Sequence, residues 1–361
     1  MSFPLPTLYT TSFKGIGQIT VRELRSLFGD ALHKIRTHKV RDYDIVQFDW
    51  TEDPQNLKLL GTTEDVFYYL STVPLTGDKT DLQNFQDALT PNLIDPALLV
   101  HRQFHGLPHG RTSFRVIVQA DHQPWQNYRR TKMQEAVELG ICSRYNKWRV
   151  LPDNANLEFW VQQIDNQALI GLRLTDRTMR HRTYKTANLP ASLRPTIARA
   201  MVHLSQPAPD DIFLDPMCGA GTLLIERALA GRYALLQGGD IDKTAIQTTL
   251  DNFGKHHKPY EIQQWDARSL PLPKQSVHKV VTNPPWGRQL SAPSELRPLY
   301  TSLCKEIDRV LKPSGIAVLL TSEWKTLKPA ISRTQLTLVE QIKNIIVMGR
   351  HADIFVFQKF T

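Results

Sequence analysis

Residues 211–222 read Asp211-Ile212-Phe213-Leu214-Asp215-Pro216-Met217-Cys218-Gly219-Ala220-Gly221-Thr222. A short apolar run, Ile212-Phe213-Leu214, meets a turn of small residues and then a helical stretch from Thr222 to Ala230. A run this short between turn signals is a buried strand rather than a helix. The pattern repeats downstream. Ala234–Gly239 precedes a helical stretch, Lys243–Phe253. Ile262–Trp265 and Val277–Thr282 give two more strands, Ser294–Leu311 a helix, and Ile316–Thr321 a further strand. Buried strands alternating with helices predict an α/β fold with a parallel, doubly wound sheet. The end differs. Ile345-Ile346-Val347-Met348 and Ile354-Phe355-Val356-Phe357 flank only five residues, so they pair as an antiparallel hairpin,. Such an ending is uncommon among dinucleotide-binding folds.

Upstream, the pattern is that of an α+β unit. Leu8–Thr11 reads as a strand, Gly15–Phe28 as a helix through Ile19, Leu24 and Leu27, and Asp44–Trp50 as an alternating strand,. Residues 51–100 are rich in Pro, Asp and Thr and carry no clear period. Phe114–Val118 alternates, and Tyr128–Ile141 has helical spacing through Met133, Ala136, Val137 and Ile141. Leu157–Ile164 and Ala168–Leu174 form a hairpin around Asp165-Asn166-Gln167,. Residues 177–192 read as a linker, followed by a helix over Arg194–Ser205 with Pro195 in its first turn,.

Charge separates these halves. The 361 residues carry a net +9, and residues 101–200 alone hold 16 Lys and Arg against 7 Asp and Glu. Residues 1–100 hold 9 against 13, and residues 201–361 hold 19 against 15. A local basic field of this kind points to a polyanion, nucleic acid first. No run of eighteen uncharged apolar residues occurs, which argues against a membrane helix,. Met1–Pro6 has neither a basic nor an apolar leader segment, so secretion is not expected,. Cys142, Cys218 and Cys304 are widely spaced, which excludes a disulfide framework and a cysteine-rich metal site and suits a reducing cytoplasm,.

Four strand ends carry the chemistry. After the first, Gly219 and Gly221 admit a ligand close to the backbone. A third glycine at Leu224 and a GK[ST] sequence are both missing, so neither a pyrophosphate nor a triphosphate is favoured,. Asp215 offers an acceptor for a cationic amine. After the second, Gly238-Gly239-Asp240 places an acid 19 residues past Gly221, the spacing at which such folds bind ribose hydroxyls,. Asp242 suits the cap of the next helix. After the third, Asp266 is an acceptor for an exocyclic adenine amine. After the fourth, Thr282-Asn283-Pro284-Pro285-Trp286-Gly287 combines two prolines that remove donors, the Asn283 side-chain oxygen, and an indole face for a base,.

In this order, DPMCGAGT, GGDID, WDA and NPPWG resemble a class I S-adenosylmethionine-dependent methyltransferase of the amino-group type. Leu174-Thr175-Asp176, Arg182-Thr183-Tyr184-Lys185 and Pro190–Thr196 resemble the entry to the catalytic domain of THUMP-containing RNA guanine-N2 methyltransferases. Relatives more often carry Tyr or Phe where this chain has Trp286.

The resemblance implies a Rossmann-like class I methyltransferase domain over 193–361, with a seven-stranded sheet and an antiparallel last strand. Ahead of it would lie a ferredoxin-like part (1–60), a THUMP domain (61–174) and a linker (175–192). Asp215, Pro216, Cys218, Gly219, Gly221, Thr222, Asp240, Ile241, Asp266, Ala267 and Asn283 would contact the cofactor. Asn283, Pro284, Pro285 and Trp286 would hold the target base. Arg129, Arg130, Lys132, Arg177, Arg180, Arg182 and Lys185 would grip RNA. The implied substrate is tRNA, at position 6 of the acceptor stem, taken by a monomer without a metal. An rRNA guanine, an N6-adenine target, or a decayed non-catalytic RNA binder are the alternatives.

Overall fold

The computed structural model describes residues 5–107, 110–121, 126–187, 189, 192–254, 257–287, 293–347 and 349–360. It divides into two compact units. The first comprises Met1–Ser12 and Leu24–Met179; the second comprises Phe13–Glu23 and Arg180–Thr361.

The first unit is built on one eight-stranded sheet. In chain order, the elements up to the boundary at Met179 are β1 (Thr7–Phe13), α1 (Gly17–Phe28), whose residues up to Glu23 belong to the second unit, β2 (Leu32–Lys39), β3 (Tyr43–Trp50), β4 (Thr63–Pro74), α2 (Thr80–Asp87), α3 (Pro91–His105), β5 (Ser113–Gln119), α4 (Arg130–Arg144), β6 (Arg149–Val150), β7 (Leu157–Ile164), β8 (Gln167–Arg173) and α5 (Thr178–His181), which straddles it. The strand order is β2-β3-β1-β4-β8-β7-β5-β6. The β7–β8 hairpin turns where the sequence places it, with Ile164 facing Gln167. The unperiodic stretch 51–100 holds β4, which pairs with both β1 and β8. Strands from both sides of residue 60 thus share one sheet. Arg173 crosses from β8 to Asp65 at 2.6 Å and Glu158 at 2.9 Å, tying the middle strands by charge.

The second unit continues with α6 (Pro195–Leu204), β9 (Ile212–Asp215), α7 (Thr222–Leu229), β10 (Leu235–Asp240), α8 (Lys243–Phe253), β11 (Tyr260–Gln264), β12 (Val277–Thr282), α9 (Leu296–Val310), β13 (Leu311–Thr321), α10 (Trp324–Ile331), β14 (Leu336–Val347) and β15 (Arg350–Lys359). The sheet order is β11-β10-β9-β12-β13-β15-β14, with β15 antiparallel to β13 and β14. This is the predicted doubly wound sheet with its antiparallel end.

Alternate side chains of one strand enter different cores, as a pleated strand buried on both faces requires. Phe213, Val281 and Val318 pack with α6 and α7, together with Ile16 and Ile19 from residues 13–23. Leu214, Val280 and Leu319 pack with α9 and α10. Each such fully buried side chain contributes about 1.5–3 kcal/mol. The chain winds outward from β9 to β11 and then returns to β12 on the other side of β9. Helices diverge at that switch point and open a crevice beyond the strand ends.

Candidate active site

The crevice is lined by three of the four strand ends that the sequence singles out, those after β9, β10 and β11. A cavity of about 380 Å³ is bounded by Pro216, Met217, Asp240, Ile241, Asp266 and Ala267, and closed by Arg268 and the α9 residue Leu299.

Its floor is the loop after β9. Gly221 has φ +76°, and a Cβ there would stand 2.8 Å from Thr249 Cγ2. The Gly219 N–H donates to Asp240 Oδ2 at 3.0 Å, and the Cys218 N–H to the Gly239 carbonyl at 2.9 Å. The second strand end therefore shapes the first. Gly239 is required for close approach: a Cβ would lie 2.2 Å from the Trp265 ring, whose Nε1 donates to the Pro216 carbonyl at 3.0 Å.

Asp215 is 1% exposed. Burial, assisted by the charge of Asp240, pushes its carboxyl up to about 7, against the hydrogen bond from the Met217 N–H. Burial likewise pushes the Cys218 thiol well up, which removes it as a nucleophile,. Thr222 opens α7 and is buried. Ile241 leaves 60% of its surface open at the cavity, an apolar face where water would otherwise sit,. Asp242 caps α8 through the Thr244 N–H at 2.8 Å, as its position predicts. Asp266 faces the cavity with Arg268 across it, Nη2 to Oδ2 at 2.7 Å, and this guanidinium holds the carboxyl below the usual range.

At the fourth strand end, the Asn283 Oδ1 is buried and has no hydrogen-bond partner among the described residues. Pro284 is buried, and the Pro285 carbonyl accepts from Tyr300 Oη at 3.2 Å. The reading of Trp286 as an open stacking face needs correction. The ring is 7% exposed, its Nε1 donates to the Leu320 carbonyl at 3.2 Å, and the Arg350 guanidinium lies 5.7 Å above it. It is a core side chain that fixes the NPPW turn.

The basic residues also divide. Arg129, Arg130 and Arg177 are exposed, and Lys132 makes an exposed 2.6 Å pair with Glu135. Arg182, by contrast, turns inward. It meets the fully buried Glu226 at 3.1 Å, beside Tyr184 Oη at 2.8 Å and Arg199 at 2.9 Å. Lys185 donates to the Leu193 carbonyl at 2.8 Å, and burial lowers its pKa. These two cations hold the segment after α5 in the second unit. Arg180 is half-buried. The sequence reading missed Met217, Arg268 and Leu299 as cavity residues, since none stands at a strand end with a distinctive residue type. Among the described residues no group of His, Cys, Asp and Glu is arranged to hold a metal. None of the described helices is long and apolar enough to cross a membrane.

Residues 182–351 match the family described as RMKL-like, methyltransferase domain. The Mus musculus protein named tRNA (guanine(6)-N(2))-methyltransferase THUMP3 is 32% identical over 207 residues, 54% of this chain and 41% of the relative. The Thermus thermophilus protein named tRNA (guanine(6)-N2)-methyltransferase is 29% identical over 198 residues, 54% of this chain and 57% of the relative. The chain thus spans about half the length of the curated relatives it matches. The crystal structure of TrmN from Thermus thermophilus aligns with a TM-score of 0.79 at 21% identity, covering 98% of this chain and 99% of that one. At that identity the likeness is one of fold. Residues 182–351 are thus similar to that methyltransferase domain, and the unit that holds them has the class I methyltransferase fold.

Proposed function

We propose that the protein transfers a methyl group from S-adenosylmethionine to the exocyclic N2 of a guanosine in tRNA. One observation carries this reading: Asp240, Ile241 and Asp266 ring a cavity at the switch point, and the next strand end presents the orphaned acceptor of Asn283.

The residues fit the cofactor. Asp240 would accept from ribose hydroxyls, Ile241 would cover an adenine face, and Asp266 would take its amine once Arg268 yields. Gly219 and Gly221 leave the backbone open beneath the methionine end, with Asp215, Pro216, Cys218, Thr222 and Ala267 around it. The bound cofactor supplies an electrophilic methyl on a sulfonium. Asn283 Oδ1 would accept one N2 hydrogen of guanine. That contact orients the nitrogen lone pair and stabilises the positive charge that develops on it. As the N–C bond forms and the S–C bond breaks, the surplus N2 proton leaves to water. A base inside a duplex cannot reach such a pocket, so the guanosine leaves the stack.

The names of the relatives support tRNA and its guanine 6; the acceptor stem is part of this proposal. On the same reading residues 61–174 are a THUMP module behind a ferredoxin-like part, 175–192 a linker, and the protein a cytoplasmic monomer. The test is incubation with labelled cofactor and bulk tRNA, rRNA or DNA, followed by nucleoside analysis. N2-methylguanosine from tRNA supports the reading; N6-methyladenosine or no product overturns it.

Two further results are expected. Asp240→Ala weakens binding of S-adenosylhomocysteine by about 1.5–3 kcal/mol in calorimetry, the loss of charged hydrogen bonds; wild-type affinity removes Asp240 from the site. Neutralising Arg129, Arg130 and Lys132 together weakens tRNA binding while cofactor affinity holds. Each lost phosphate contact flattens the slope of log affinity against log salt by about 0.7–0.9. An unchanged slope and affinity would show these residues to be an ordinary solvated face. The Lys132–Glu135 pair is no obstacle, since exposed pairs contribute about 0–1 kcal/mol.

A further inference from the structure

One side chain on α8 joins the cofactor loop to the segment that enters this unit. Asn252 is 4% exposed. Its Nδ2 donates to the Ala220 carbonyl at 3.0 Å and to the Ala187 carbonyl at 3.0 Å. Its Oδ1 accepts from the Ala187 N–H at 2.9 Å and from Thr186 Oγ1 at 3.4 Å. An amide has two N–H donors and one oxygen, and here all are used. Asn252 closes a two-bond pair with the peptide groups of Ala187 and gives its other N–H to the residue between Gly219 and Gly221.

Both ends of this bridge are otherwise fixed. One turn earlier on the same face of α8, Thr249 Oγ1 donates to the Gly219 carbonyl at 2.6 Å,. The entering segment is anchored by Arg182 and Tyr184 on Glu226, a residue of α7, the helix that begins at the loop. Between them lies a loop with two glycines at positive φ, +53° and +76°. Glycine loses the most conformational freedom on ordering, so a loose loop of this kind adds to the cost of binding a ligand.

We infer that Asn252 is a positioning residue for the cofactor loop, and that the segment Arg182–Ala187 sets cofactor affinity through it. The segment fixes the Asn252 amide, the amide fixes the Ala220 carbonyl, and the loop meets its ligand already ordered. This rests on the cofactor reading above.

The test is calorimetric binding of S-adenosylhomocysteine to the full chain, with thermal melting beside it. Asn252→Ala is expected to weaken binding about tenfold, the effect of one or two hydrogen bonds. Asn252→Asp keeps the acceptor for the Ala187 N–H and loses the donor to Ala220, so it binds as weakly as Asn252→Ala. Ala187→Pro removes the N–H given to Asn252, fixes the backbone there, and weakens binding about threefold. In the Asn252→Ala background it has no further effect, because its action passes through that amide. Wild-type affinity in Asn252→Ala or Asn252→Asp overturns the inference, as do multiplying effects in the double variant. Should Ala187→Pro not fold, Asn252→Asp alone decides. Absence of binding by the wild-type chain overturns the cofactor reading itself, whereas binding by the wild type with unaffected variants overturns only the role of Asn252.

Discussion

Asn283→Ala is expected to lower turnover by on the order of 10²-fold or more, with tRNA affinity near that of the wild type. The reason lies in an unmet acceptor. The Asn283 oxygen is buried at the end of β12 with no hydrogen-bond partner among the described residues. A buried polar atom left unpaired costs about 1–3 kcal/mol in the folded protein. Removing it should therefore leave the melting temperature unchanged or raise it while activity collapses. Single-turnover methylation, tRNA binding and thermal melting on one preparation measure all three. Full activity in the variant would sink the proposed mechanism; lost activity with a lower melting temperature would reduce Asn283 to a structural residue.

Glu226→Ala is expected to be the most destabilising single change of the second unit, by about 3–5 kcal/mol. Glu226 has no exposed surface and faces two guanidinium groups, Arg182 and Arg199, that are themselves largely buried. Removing the carboxylate leaves two cations facing each other out of reach of water. For a unit of this size the loss corresponds to a fall of about 10 °C in melting temperature. Two compact units need not melt together, so the transition is best followed by hydrogen exchange in α6 and α7. Glu226→Gln, which keeps acceptor and shape, should fall between variant and wild type. Wild-type melting of Glu226→Ala would show that the segment is held by other contacts.

The legible part of this protein is the part where one residue type has one physical use. Gly219 and Gly221 stand at positive φ, Gly239 stands where a ring approaches closely, and Asp242 stands at a helix start. The strand β9, the end of β12 and the second half of β13 are short apolar runs because they are covered on both faces. Other features left no such trace. The helix α10, Trp324–Ile331, is short and contains Pro329, so its period is broken. The strand β14 begins at Leu336, well before the apolar run at Ile345, since this edge strand carries exposed and polar residues and two register shifts. The strand β4 pairs with partners far along the chain, which local pattern cannot report. Charge was ambiguous for the same reason. Arg182 and Arg177 look alike in sequence, and only the buried carboxylate of Glu226 separates them. Asn252 carries no local signal, because its meaning lies in two loops that the fold brings to it.

The second unit is not one continuous piece of chain. Residues Phe13–Glu23 belong to it, and Ile16 and Ile19 are buried in its core with Ile197, Met201 and Ile345. During synthesis these residues emerge ahead of their partners, which follow only after the 156 residues from Leu24 to Met179. At about 5–20 residues per second, that is a wait of roughly 10–30 s. For that interval an apolar strip has no core to join, and it is a natural site for a chaperone. The same arrangement makes the first and last elements of this unit mutually dependent, since Ile16 and Ile19 share their core with Ile354 and Val356 of β15.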